Sequence, residues 1–292
     1  MQFLTILVAG ILLGGIYALV AVGLNLIFGV TRVVNFAQGE LVMLGMYGAY
    51  AARAFFGLDP YVSAFIVAPL CFLFGMALQR WVFQPLLAEP MMQLFASFGL
   101  LILLQNLVLL ITGGDAKSVR TAYSGKSLQV GGVSISVPRL AIFVLATLIT
   151  VALIIFLRHT FLGTAIRSVS QDRQAARLMG INVERTYLLT FGLGAGLAGL
   201  AGVLLAPLFT LTPDVGFSFI LAAFAVVVLG GLGSVAGAYI GGLFVGVIES
   251  LAGYYIDPSL KQAFWFTLFV IVLVVRPSGL LGHAGAEEVG TR

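Results

Sequence analysis

Apolar residues fall into long unbroken runs along this chain, not into the alternation of a half-buried strand or the narrow stripe of a surface helix. The runs lie at roughly 4–30, 35–56, 62–79, 91–111, 138–157, 186–209, 217–230, 235–255 and 263–282. A helix rises about 1.5 Å per residue, and about 20 apolar residues cross a hydrocarbon core, so most runs match one crossing each. The run at 217–230 is too short to cross unaided and reads as a half-helix or as an extension of its neighbours. The pattern predicts an all-α fold: a polytopic transmembrane helical bundle of about eight or nine membrane segments.

Two polar stretches interrupt the runs, 113–138 and 158–185. Neither is long enough to bury a core of its own, so residues 1–292 read as one transmembrane domain. In the first, Gly113-Gly114 and Gly131-Gly132 punctuate the alternating residues 127–137, which predicts a small surface hairpin or, equally, a loop lid. In the second, residues 170–179 predict a short amphipathic helix stopped by Gly180, with Ala175, Leu178 and Met179 as its apolar stripe. Residues 1–28 lack a basic leader and run too long for a signal core, which predicts an uncleaved first span.

Glycine is spaced as well as abundant. Gly192, Gly196, Gly199 and Gly202 share one run, and Gly237, Gly241, Gly242 and Gly246 another; small residues four apart let helix backbones approach closely in lipid. An internal echo links the glycine-bearing break at 28–32 and the glycine-dotted run after it with the break at 229–234 and its following run. Paired interruptions of this kind mark substrate paths in transporters built from repeats, although two glycine-rich helices would also produce one by chance.

Composition changes the picture in one respect, by naming the solvent. The chain is 61% hydrophobic and 9% charged, with a mean hydropathy of +1.12, against roughly 45–50% apolar for a soluble domain. Lipid must solvate most of that surface. The net charge of +4 does not imply nucleic acid, because Lys and Arg sit mainly at run ends as topology anchors. Arg158, Arg167, Arg173, Arg177 and Arg185 crowd one connection, with Arg32, Arg80 and Arg276 on the same side, which is therefore expected to be cytoplasmic. The other side carries Asp59, Asp115, Asp214 and Asp257 beside Lys117, Arg120, Lys126 and Arg139. The expected orientation is N-terminus out and C-terminus in.

Enzyme chemistry finds little support. Gly194, Gly196 and Gly199 form a literal G-x-G-x-x-G, but in an apolar helix with no strand before it. Gly125-Lys126-Ser127 resembles the tail of a phosphate loop, yet Arg120 stands where that loop needs glycine. His159 and His283 are isolated near run ends, Ser97 lacks the flanking glycine of a nucleophile elbow, and Cys71 lies alone in an apolar run. No cofactor is expected on this chain.

Polar groups at membrane depth are the sharper signal, since a central carboxylate costs about 2.5–3.5 kcal/mol on insertion scales. Glu40 and Glu249 qualify, with Asn35 and Gln38 beside Glu40 and the amides of Asn25, Gln105 and Asn106 elsewhere. One reading makes Asn35 an N-cap, Glu40 a first-turn carboxylate paired with Arg32 near the inner interface, and Glu249 a helix-to-helix hydrogen bond. The other places all seven in a translocation path.

Three segments taken together carry a resemblance: 35–40 (Asn-Phe-Ala-Gln-Gly-Glu), 163–167 (Gly-Thr-Ala-Ile-Arg) leading to 180–182 (Gly-Ile-Asn), and 229–234 (Leu-Gly-Gly-Leu-Gly-Ser) with Gly237, Gly241 and Gly242. In order and spacing they resemble the LivH-type permeases of the high-affinity branched-chain amino acid ATP-binding cassette transporters, from Gly14 to Gly282. The resemblance implies a bacterial inner-membrane importer with two permease subunits, two cytoplasmic ATPases that hold ATP and Mg, and a periplasmic solute-binding protein; the second permease is expected to be a related but different chain. It further implies that Asp172, Arg173, Ala176, Arg177, Met179 and Gly180 form the coupling helix that grips the ATPase. The 113–138 loop, expected on the periplasmic side, is the least family-like part, and members of the family also carry amides, urea or aromatic acids. A stand-alone secondary transporter or channel is the competing class, and it would need no coupling helix.

Overall fold

The computed structural model describes residues 2–119, 121, 125–130, 133–257, 260–275 and 279–281. Arg120, Gly131, Gly132, Arg276, Gly282 and His283, named above, lie outside them. The chain runs through α1 (Gln2–Thr31), α2 (Gln38–Phe56), α3 (Pro60–Leu78), α4 (Pro90–Thr112), β1 (Ser127–Val130), β2 (Val133–Ser136), α5 (Val137–His159), α6 (Phe161–Gln171), α7 (Arg173–Leu178), α8 (Val183–Leu205), α9 (Val215–Gly230), α10 (Val235–Tyr255) and α11 (Lys261–Val275). Each apolar run is a helix. Among the described residues six helices are long and apolar enough to cross a membrane: α1, α3 with its extension to Leu86, α4, α5, α8 and α10. The short run is a separate helix, α9, and not an extension of a neighbour.

Local chemistry sets the boundaries. Asp59 caps α3 by accepting from Tyr61 N–H at 3.0 Å, with Pro60 at the first helical position, where its missing N–H costs nothing. Ser234 caps α10 through Gly237 N–H, and Thr160 caps α6 through Gly163 N–H. Helix α3 does not end cleanly: a π-turn at Gln79–Phe83 and a 3₁₀ turn at Gln84–Leu86 follow it. Pro85 explains the change, because its ring cannot accept the regular ladder. The predicted hairpin is present, antiparallel, with Ser127 opposite Ser136 and Gln129 opposite Ser134.

In lipid, helices gain little by hiding apolar side chains from one another, so association rests on close van der Waals packing. The glycine runs supply it. A Cβ on Gly242 would lie 2.6 Å from the Ala18 backbone, and one on Gly246 only 2.2 Å from Gly14 N, so this face of α10 lies flush on α1. Gly237 and Gly241 face the other way, onto Gly230 and Val226 of α9. Helix α8 is the hub: Gly192, Gly196 and Gly199 meet Phe72 and Cys71 of α3, Gly194 meets Ile27 of α1, and Gly202 meets Val42 of α2. By contrast, α4 and α5 leave rows of large apolar side chains exposed, Leu103, Leu110, Leu148 and Ile155 among them, as a lipid-facing rim requires.

Polar contacts tie the helix ends on both sides of the bundle. Gln84 Nε2 donates to Glu184 Oε2, which brings the end of α3 and the start of α8 together, and Arg167 donates to the Arg158 carbonyl. At the opposite end Lys117 and Leu211 exchange backbone hydrogen bonds, and the Lys117 ammonium lies over the Tyr50 ring.

Candidate functional site

Helix α2 begins inside the bundle. Gln38 Nε2 donates to the Gly194 carbonyl at 3.1 Å, and Gly194 is the midpoint of α8. The turn into α2 is built from its own polar residues: Ala37 N–H donates to Asn35 Oδ1 at 3.1 Å and Asn35 Nδ2 to Gln38 Oε1 at 3.4 Å. Asn35 thus closes a local turn three residues before the helix, whereas the N-cap position belongs to Ala37, with no side-chain cap. Phe36 is wedged between Phe98 of α4, stacked at 4.2 Å, and Phe224 of α9, at 4.8 Å. These contacts hold the start of α2 at depth, away from the inner interface that an N-cap reading of Asn35 and Glu40 assumed.

Glu40 is fully buried, and both of its carboxylate oxygens lack a hydrogen-bond partner among the described residues. The expected pairing with Arg32 is therefore not formed as a hydrogen bond. What lies against Glu40 is the first turn of α9: a Cβ on Gly39 would fall 2.2 Å from the Gly216 carbonyl oxygen, and one on Gly216 would fall 2.9 Å from Glu40 Cδ. Asp214, just before α9, acts on Glu40 electrostatically. It is exposed and its side chain caps nothing. Two helix N-termini and two carboxylates therefore meet at one backbone-to-backbone crossing.

The other depth-placed groups do not gather there. Asn25 clamps the break between α9 and α10: its Nδ2 donates to the Gly231 and Ser234 carbonyls at 3.1 and 2.7 Å, and Gly233 N–H donates to its Oδ1 at 2.6 Å. Glu249 accepts from Tyr17 Oη–H at 2.8 Å across α10 and α1, the helix-to-helix bond of the structural reading. Gln105 is half-buried on α4, and Asn106 is exposed on that helix, its Nδ2 turned back to the Ile102 carbonyl. Sequence reasoning counted Asp214 only as a surface charge and passed over Gln79, which is fully buried in the π-turn with no hydrogen bond to its amide. Pro213-Asp214 ahead of an apolar run is a helix-start signal, but nothing along the chain joins it to Glu40.

The connection 158–185 is two helices, which corrects the single helix expected over 170–179. Helix α6 takes Ser170 and Gln171, and Asp172 breaks the chain to cap α7, its Oδ1 accepting from Gln174 and Ala175 N–H at 2.8 and 3.0 Å. Gly180, at φ +83°, ends α7 in the left-handed region that glycine tolerates. Helix α6 buries Ala165, Ile166 and Val169. Of α7 only Ala176 turns inward, at 3% exposure, while Leu178 and Met179 stand out at 89% and 83%. Arg173 and Arg177 flank them, exposed. Among the described residues these two large apolar side chains stand on a basic surface as an uncovered knob.

The family described as branched-chain amino acid transport system, permease component, matches residues 6–273. The high-affinity branched-chain amino acid transport system permease proteins LivH of Salmonella typhimurium and of Escherichia coli K12 are each 34% identical to this chain, covering 99% of it and 98% of their own length. BraD of Pseudomonas aeruginosa, a permease protein described in the same words, is also 34% identical at the same coverage. No solved structure matches the chain.

Proposed function

The chain belongs to the family of branched-chain amino acid transport permeases, and from that premise we propose that it carries branched-chain amino acids inward across a bacterial inner membrane by alternating access. It is a transport subunit, not an enzyme, and works as one component of a larger system. ATP and Mg are held by two separate cytoplasmic ATPase subunits, a periplasmic binding protein delivers the solute, and a related permease chain completes the pore.

The observation that carries this reading is the exposed pair Leu178 and Met179 at the C-terminal end of α7. An apolar knob on a helix of six residues, at the arginine-rich end, fits a cleft in a soluble partner. Positive charge in short connections faces the cytoplasm, so that end meets the ATPases, and the N-terminus and 113–138 loop face the periplasm. Met179 is part of the knob, and Asp172, Arg173, Ala176, Arg177 and Gly180 complete the coupling segment around it. Closure of the ATPases pulls α7, and α6, packed on the bundle through Ile166 and Val169, passes the motion on. The turn at Asn35, Gln38 and Glu40, held at the midpoint of α8, lies on the path that opens.

Leu178→Glu with Met179→Glu tests the coupling. Both side chains are exposed, so the subunit should insert and keep its thermal stability, while ATP-driven leucine uptake by the reconstituted transporter falls about tenfold or more, as expected when interface anchors are lost. Uptake at the unmodified rate would sink the proposal and leave the stand-alone transporter as the better reading.

A further inference from the structure

Glu40 poses a question of energy that its neighbours do not answer. A buried carboxylate without hydrogen bonds costs several kcal/mol after relaxation. The N-terminus of α2 offsets at most about 2 kcal/mol of that. Asp214 adds repulsion, since its carboxylate acts on Glu40 electrostatically. The usual structural use of a glutamate at the third helical position is to fold back on its own cap, and that is absent here because neither oxygen has a hydrogen bond. Three other buried polar side chains in the bundle are tied: Asn25, Gln38 and Glu249 each hold a neighbouring helix, whereas Gln79 is buried untied but carries no charge.

From this geometry we infer that Glu40 and Asp214 form a cation subsite for the primary ammonium group of a zwitterionic substrate, occluded by the crossing of α2 and α9 at Gly39 and Gly216. This rests on the permease reading given above. An ammonium is a compact charge with three donors, which suits a buried carboxylate on which a second, exposed carboxylate acts. The carboxylate of the same substrate meets the N-terminal ends of α2 and α9, where helix dipoles favour negative charge. A neutral amide, urea or sugar brings no positive charge and leaves the cost of Glu40 standing, so the subsite selects amino acids against them.

Access follows from the kind of contact that closes the site. Gly39 and Gly216 bring the two backbones together, with Ile220 Cβ and Glu40 Cδ as the nearest side-chain atoms beside the glycines and Phe36 against Phe224 next to them, so parting α2 from α9 uncovers Glu40 as Ile220 and Phe224 move aside. Asp214 is already exposed while Glu40 is hidden. An incoming ammonium thus meets Asp214 first and Glu40 once the crossing opens.

The test uses the complete transporter, with its ATPases, partner permease and binding protein, in proteoliposomes fed radiolabelled leucine. Glu40→Gln keeps the shape and removes the charge. Its expected signature is opposed: leucine uptake falls about tenfold or more, as for loss of one member of a desolvated charge pair, while the melting temperature of the complex is unchanged or raised because a strained charge has gone. Asp214→Asn should lower uptake several-fold, and Glu40→Asp should restore part of it. Uptake by Glu40→Gln at the wild-type rate overturns the subsite, and so does a lowered melting temperature, which would make Glu40 a structural residue. If the wild-type complex itself moves no leucine with ATP, the permease reading fails first, and that outcome is separate from either.

Discussion

Single residues in this bundle divide into those that tie helices and those that leave room for them. Asn25 ties: three hydrogen bonds join α1 to the α9–α10 break. Asn25→Leu strands those groups at about 1–3 kcal/mol each, so the melting temperature in detergent should drop sharply. Asn25 was a path candidate by sequence, and a variant that stays fully stable yet transports poorly would return it to that role. Gly202 leaves room: an added Cβ would sit 2.0 Å from the Val42 carbonyl. Gly202→Ala should therefore destabilise by about 1–3 kcal/mol or more, the range for overpacking. Gly99 on α4 is the control, with nothing within 4 Å of its virtual Cβ; Gly99→Ala should be neutral or stabilise by up to about 1 kcal/mol, from helix propensity. Thermal unfolding of the two alanine variants side by side checks both.

At the scale of elements, the break at Asp172 separates a helix that packs from a helix that docks. Removing the cap with Asp172→Ala should cost α7 about 0.5–2 kcal/mol. For a helix of six residues that is enough to fray it, so the Gln174 and Ala175 amides should exchange with solvent faster, and uptake should fall with no change in bundle stability. Asp172→Asn, which keeps the acceptor, should behave as wild type. Unchanged amide exchange in Asp172→Ala would show that α7 is held by Ala176 alone. The elements were largely legible beforehand because hydrophobic runs, prolines and glycines act locally: each run became a helix, and of the hairpin and the loop lid left open by the alternation at 127–137 the structure has strands β1 and β2 paired. The single helix expected over 170–179 became two because one carboxylate found two free backbone amides, a contest that residue pattern alone leaves open.

For the whole molecule the expectation is dependence on others: vesicles holding this chain alone should not accumulate leucine, whereas the assembled system with ATP should. Accumulation by the lone chain, measured as retained label after filtration, would remove the need for any motor. The sequence by itself determined the solvent, the helices, the glycine runs and the family, because these depend on composition and on spacing within one segment. Tertiary structure alone decided which polar groups matter together. It separated Asn106, on an exposed face, from Asn35 and Gln38 in the interior, made Asn25 and Glu249 ties between helices, and brought Asp214 to Glu40 across 174 residues of chain. The reason is physical: periodicity records which face of a helix avoids water, and in lipid every face does, so only the packing of backbones through glycine shows which faces meet.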